Sequence, residues 1–133
     1  MTLKGGTVVL DSQGLSGWLG HDARVVTLLA AASANRTAVV TSALTLLEVS
    51  HKRTDRRRLD WLLSQVRVEP VTERSARAAS ELLISTGLHG HAHAIDAVVA
   101  ELASRQPRPV VLLTSDPGDL GRLCEPHVRV LRV

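Results

Sequence analysis

The chain contains neither phenylalanine nor tyrosine, and only two tryptophans, Trp18 and Trp61. A base-stacking platform is therefore excluded, and the core must be aliphatic. The one cysteine, Cys124, excludes an internal disulfide and a multi-cysteine zinc site; it reads as a small apolar residue on a short helix. No apolar run reaches the length of a membrane span. Lys4, Gly5 and Gly6 before a short apolar stretch do not resemble a signal peptide, so the expectation is a soluble, cytoplasmic protein. Lysine is scarce as well: of 16 basic residues only Lys4 and Lys52 are lysines, and the rest are arginine, which forks carboxylates and phosphates better.

What is present suits one globular domain. A chain of 133 residues with 44% hydrophobic content buries roughly two-thirds of its unfolded surface, and we expect a single domain over residues 1–133. Elements alternate along it. Thr7 to Leu10 reads as a buried strand, and Gly14, Gly17 and Gly20 break up the segment around Trp18. Asp22 to Ser33 has helical spacing, and Ala38 to Val40 is a second strand. Helices follow from about Ser42 to His51 and from Asp55 to Gln65, then a strand over Val66 to Val71. Thr72 can cap a helix that ends near Gly87. A helix over His93 to Ser104, a strand over Pro109 to Leu113, a helix over Pro117 to Cys124 and an edge strand over Val128 to Leu131 complete the chain. Such alternation predicts an α/β domain with a mostly parallel sheet, whose ligands bind beyond the carboxyl ends of the strands.

Against this apolar background, four acids stand out. Asp11 closes Val8-Val9-Leu10, and Glu48 interrupts Leu44-Thr45-Leu46-Leu47 before Val49. Asp96 lies within Ala94-Ile95-Asp96-Ala97-Val98, and Asp116 follows Val110 to Ser115. Ionised carboxylates near a core are costly unless a cation holds them. Taken singly, Asp11 and Asp116 also suit helix caps, and Asp96 suits the first turns of its helix. Glu48 falls mid-helix, where capping does not explain it. Buried alone it would protonate; beside other carboxylates a bound divalent cation is the simpler account. Oxygen donors suit Mg²⁺ or Mn²⁺, and such an ion activates water and neutralises a phosphodiester.

Those four segments, in order, resemble PIN-domain nucleases, and within them the VapC-type toxins of bacterial toxin–antitoxin pairs. The matching stretches are Val8 to Ser12, Ser42 to Val49, Ala94 to Ala100 and Leu113 to Leu120. The resemblance implies a three-layer α/β/α PIN-like domain and a Mg²⁺- or Mn²⁺-dependent endoribonuclease. It implies that Asp11, Glu48, Asp96 and Asp116 hold the metal, with Asp119 in an outer shell, and that Ser12 and Thr114 orient carboxylates or water. It also implies a homodimer and a small antitoxin that blocks the site. Gln13 departs from the pattern, standing where a small polar residue is usual. The alternative within the family is a catalytically inactive PIN-like binding module. A phosphatase or receiver-like domain using Asp11 as phosphate acceptor fits less well, because the second position after Asp11 is Gln13 rather than an acid.

Three other features need weighing. His89, His91 and His93 alternate as in an extended, solvent-exposed segment, although His93 and Asp96 have helical spacing. Lys52, Arg53, Arg56, Arg57, Arg58, Arg67, Arg74 and Arg77 hold half the basic charge and read as a solvated face, with Arg53 the favoured RNA contact. The glycines at 14, 17 and 20 lack the lysine and spacing of a phosphate loop, and both tryptophans read as core or interface residues.

Overall fold

The computed structural model describes residues 5–133; Lys4, part of the N-terminal reading, lies outside them. Five strands form one sheet: β1 (Thr7–Leu10), β2 (Ala38–Ser42), β3 (Arg67–Glu69), β4 (Val110–Thr114) and β5 (Val128–Arg132). Their order is β3-β2-β1-β4-β5, and every pairing is parallel. The expectation of a mostly parallel sheet thus becomes a wholly parallel one, with β5 at an edge as expected. Strands covered on both faces need no polar side, which is why β1 and β4 are buried throughout.

Seven helices cover the two faces among the described residues: α1 (Ser12–Leu19), α2 (Ala23–Ala34), α3 (Thr45–Val49), α4 (Arg56–Leu63), α5 (Glu73–Thr86), α6 (Gly90–Ser104) and α7 (Pro117–Leu123). Successive strand side chains point to opposite faces, so Val9, Val40 and Leu112 pack with Ala79 of α5, Ala97 and Leu102 of α6 and Leu120 of α7. Val8, Leu10, Val111 and Leu113 pack instead with Leu15 of α1, Val25 and Leu29 of α2 and Leu59 of α4. The result is a three-layer α/β/α domain with two aliphatic cores.

Local chemistry sets the helix ends. Asp22, Asp55 and Thr72 cap α2, α4 and α5 through their side chains, and Gly87 closes α5 in the left-handed region at φ 72°. Of the glycines expected to break the segment after β1, Gly20 ends α1 as its C-cap, but Gly14 and Gly17 lie inside the helix. Gly14 lies in α1, where an added Cβ would stand 3.0 Å from the Leu113 carbonyl oxygen. Glycine there lets α1 approach β4 closely instead of ending the helix. Two helices differ in extent: α3 starts at Thr45 rather than Ser42, and α6 starts at Gly90, three residues before His93. Trp18 packs beside the α1–α4 core as expected, whereas Trp61 is 60% exposed. Among the described residues no helix is long and apolar enough to cross a membrane.

Candidate metal centre

The sheet order reverses direction at β1, so the chain leaves β1 and β4 toward opposite layers and opens a crevice between them. Asp11 is the first residue past β1, and Asp116 the second past β4. Strand register brings the two exits together: Leu10 pairs with Leu113, and the Asp11 amide donates to the Leu113 carbonyl at 3.3 Å.

Asp11 is buried and serves two structures at once. Its Oδ1 accepts the Gly14 amide at 2.8 Å, capping α1, and the Thr114 side chain helps to hold its pKa down. Burial raises its pKa above the usual carboxylate value, and Asp96 adds to this; the bonds from Thr114, Gly14 and Gln13 pull the other way. Thr114, itself buried at the end of β4, accepts the Asp116 amide on its hydroxyl at 3.0 Å. That hydroxyl holds the exit of β4 beside Asp11. Ser12 sits half-buried at the first position of α1, and Gln13 is exposed, clear of the crevice wall.

The other acids come from the α5–α7 layer. Asp96 belongs to α6, three residues past the kink at His93, so it stands in the first turn of the helical segment that follows, as expected. Desolvation raises its pKa first, His93 counters that, and the charges of Asp116 and Asp119 raise it again. Asp116 occupies the N-cap position of α7 but makes no side-chain capping bond, leaving its carboxylate for another partner. Asp119, in the first turn of α7, lies 3.9 Å from Arg122 and 3.9 Å from Nε2 of His93. Carboxylate charges thus meet at one strand edge: Asp96 acts on Asp11, and Asp116 and Asp119 act on Asp96.

Glu48 differs from expectation. It was read as interior, but it is exposed on α3 and is not among the leading charges on Asp11 or Asp96. Thr45 and Val49 take the inward positions of this five-residue helix, and that spacing turns position 48 outward. A hydroxyl network still ties α3 to the site's rim: Thr41 donates to the Leu10 carbonyl at 2.7 Å and meets Thr45 at 2.7 Å.

The histidine cluster is also corrected. It is not an exposed loop but the start of α6, where His89 accepts the His91 amide and His93 turns inward at a kink, φ −122° and ψ 17°. The basic cluster is largely structural. Arg58 donates to the Leu19 and Trp18 carbonyls, both at 2.8 Å, closing the end of α1. Arg67 pairs with Glu69 and Arg77 with Glu73. Arg53 stands exposed in the loop between α3 and α4. Cys124 is half-buried at the end of α7, and burial pushes its thiol up to about 12, so it is not a nucleophile.

A model of the PIN domain matches residues 8–124. The chain belongs to the PIN-domain family. No curated protein matches the sequence. Among solved structures, it is similar to VapBC2 from Rickettsia felis bound to a DNA fragment from their promoter, with a TM-score of 0.72 and 17% identity over 96% of this chain and 98% of that one. At that identity the likeness speaks to the fold. PIN domains are in general nucleases and in general use divalent metal ions. The donor set of this PIN domain fits such an ion: oxygen donors only among the aspartates, two of them desolvated, with mutual repulsion that a cation would relieve. Among the described residues no three acid, histidine or cysteine side chains yet close on a single point. A cavity of about 420 Å³ lined by Glu69, Thr72, Arg74 and Glu101 shares no residue with the acids.

Proposed function

We propose that this PIN domain is a Mg²⁺- or Mn²⁺-dependent endoribonuclease, the toxin of a toxin–antitoxin pair. The influence of Asp96 on Asp11, and of Asp116 and Asp119 on Asp96, beside the switch between β1 and β4 supports the reading. Asp11, Asp96 and Asp116 hold the ion, with Glu48 completing the set from α3 and Asp119 in the outer shell. The ion supplies charge neutralisation on the phosphodiester and makes a water more acidic. The chain's own part is positional. Thr114 holds the Asp116 backbone beside Asp11, Ser12 stands at the rim, and Arg53 reaches phosphates from the α3–α4 loop.

The partners belong to the same proposal. The similar solved structure is named as a VapBC2 assembly on DNA, which supports a cognate antitoxin for this chain; a homodimer and a cytoplasmic setting complete the proposal. The decisive experiment is cleavage of a generic RNA by purified protein with Mg²⁺ or Mn²⁺ and with EDTA. Divalent-dependent cleavage, lost in Asp96→Asn, is expected. Cleavage that survives Asp96→Asn removes the assigned site, and absence of any cleavage or metal binding makes the chain a binding module.

A further inference from the structure

The positive charge of the chain is gathered in one place outside the acid centre. Lys52, Arg53, Arg56 and Arg57 stand against Asp55 alone, a balance of +3 over residues 50–57. The whole chain also carries +3, so everything outside this stretch is neutral. Among the described residues these four cations enter no ion pair, whereas Arg58 is spent on the Trp18 and Leu19 carbonyls and Arg67, Arg77, Arg105 and Arg122 stand beside acids. A hollow of about 200 Å³ lies at this stretch, lined by Ser50, His51, Lys52, Thr54, Arg56 and Leu59. Among the described residues no carboxylate lines it. The cavity at the end of β3, by contrast, sets Arg74 and Arg105 against Glu69 and Glu101. Hydrogen bonds shape the loop around the hollow. Thr54 Oγ1 donates to the Val49 carbonyl and accepts the His51 amide, both at 2.9 Å, and the Arg53 amide donates to His51 Nδ1 at 3.1 Å. With Nδ1 accepting, a neutral His51 carries its proton on Nε2 and offers it as a donor.

Resting on the nuclease reading above, we propose that this hollow is a subsite for a phosphate of the RNA backbone that flanks the phosphodiester to be cut. Lys52 supplies a point charge, Arg56 a fork for two phosphate oxygens, and His51 Nε2–H a further donor. Arg53 lends its amide to the loop and does not line the hollow. Size favours a phosphate over a whole nucleotide, since pockets for small molecules run from about 300 Å³ upward, and the lining offers a base no tryptophan to stack on. An acidic protein segment would meet the same cations, but Leu59 is the one apolar residue of the lining and is already buried. The placement fits the substrate as well. α3, which carries Glu48, follows the carboxyl end of β2, β2 pairs with β1, and the hollow begins two residues beyond Glu48. Cations and acids thus share one edge of the sheet. Contacts to phosphate position a strand without reading its bases, so this subsite sets which phosphodiester reaches the acids.

The test reads binding rather than turnover. Fluorescence anisotropy of a short labelled oligouridine, in EDTA and across a range of NaCl concentrations, compares wild type with the double variant Lys52→Gln/Arg56→Gln and with Arg74→Gln, which removes a cation elsewhere. Both side chains of the double variant are exposed and unpaired, so its Tm should match wild type. It should bind RNA about tenfold more weakly. The slope of log K against log salt should be shallower by about 0.7, the loss of one phosphate contact on a single strand. Arg74→Gln should bind as wild type does. An equal loss in Arg74→Gln, or no loss in the double variant, overturns the subsite. Inorganic phosphate and oligoglutamate compete in separate arms; displacement of the RNA by either at the RNA's own concentration makes the hollow a free-anion or acidic-protein site and overturns the RNA assignment. RNA that binds as expected but stays uncut with Mn²⁺ removes the nuclease reading and leaves the subsite standing. A wild type that binds no RNA overturns both.

Discussion

Thr114→Val removes one hydroxyl from the buried end of β4 and leaves the shape nearly unchanged. One hydrogen bond disappears, the acceptance of the Asp116 amide, together with the influence of Thr114 that holds the Asp11 pKa down. A neutral hydrogen bond contributes about 0.5–1.5 kcal/mol. The apo protein should therefore lose about 1–2 kcal/mol near neutral pH, or roughly 5 °C in Tm for a chain of this length. The loss should also depend on pH. Asp11 has a folded pKa above its ordinary 3.8, chiefly from burial, and losing Thr114 raises it further. A group with a raised folded pKa stabilises the fold below its unfolded value and loses that contribution as pH rises through the folded one. The gap between Thr114→Val and wild type should accordingly narrow as pH is lowered toward and below the unfolded value of 3.8. Urea denaturation across that pH range, without divalent ions, measures it. Thr114→Ser should recover most of the loss. A Thr114→Val protein as stable as wild type near neutral pH, or a gap that widens in acid, would refute the hold of this hydroxyl on the exit of β4 and its influence on Asp11.

Asp96 makes a complementary case. Its pKa is raised chiefly by desolvation, so apo Asp96→Asn should melt above wild type near neutral pH, with the difference closing toward about pH 4. Saturating Mn²⁺ should raise the wild-type Tm, by about 2.7 kcal/mol of stabilisation at a hundredfold excess over Kd, and should leave Asp96→Asn almost unmoved by thermal shift. Glu48 is exposed, so Glu48→Gln should change Tm by no more than about 2 °C while lowering RNA cleavage; unchanged cleavage removes Glu48 from the centre. Gly87→Ala has open space around its Cβ yet must hold φ 72°, so calorimetry should find about 1 kcal/mol of destabilisation from backbone strain alone.

The strands and helix caps were legible because each carries its signal locally. β1 was read at its observed limits, and Thr72 and Gly87 bracket α5 as their chemistry requires. Two of the misreadings depended on a neighbour distant in sequence, and a third on the phase of a short helix. Gly14 reads as a helix breaker until the Leu113 carbonyl is set beside it. Arg58 reads as a free surface charge until the end of α1 is brought to it. Glu48 was placed inside by the apolar letters around it, whereas the phase of a five-residue helix, fixed by Thr45 and Val49, turns it outward. His93 was given away by its spacing to Asp96, but the approach of Asp119 from α7 belongs to tertiary structure.

Asp11 caps α1, while Asp116 occupies a cap position without using it. The two acids therefore answer to different selective pressures. A descendant that abandoned chemistry would still need an oxygen acceptor at position 11 to hold its first helix, and Asp, Asn or Ser there would satisfy it. Nothing in the fold asks the same of the side chain at position 116, which could drift as soon as its ligand no longer mattered. Whether a relative of this chain remains a working enzyme is thus better judged from its counterpart of Asp116 than from its counterpart of Asp11.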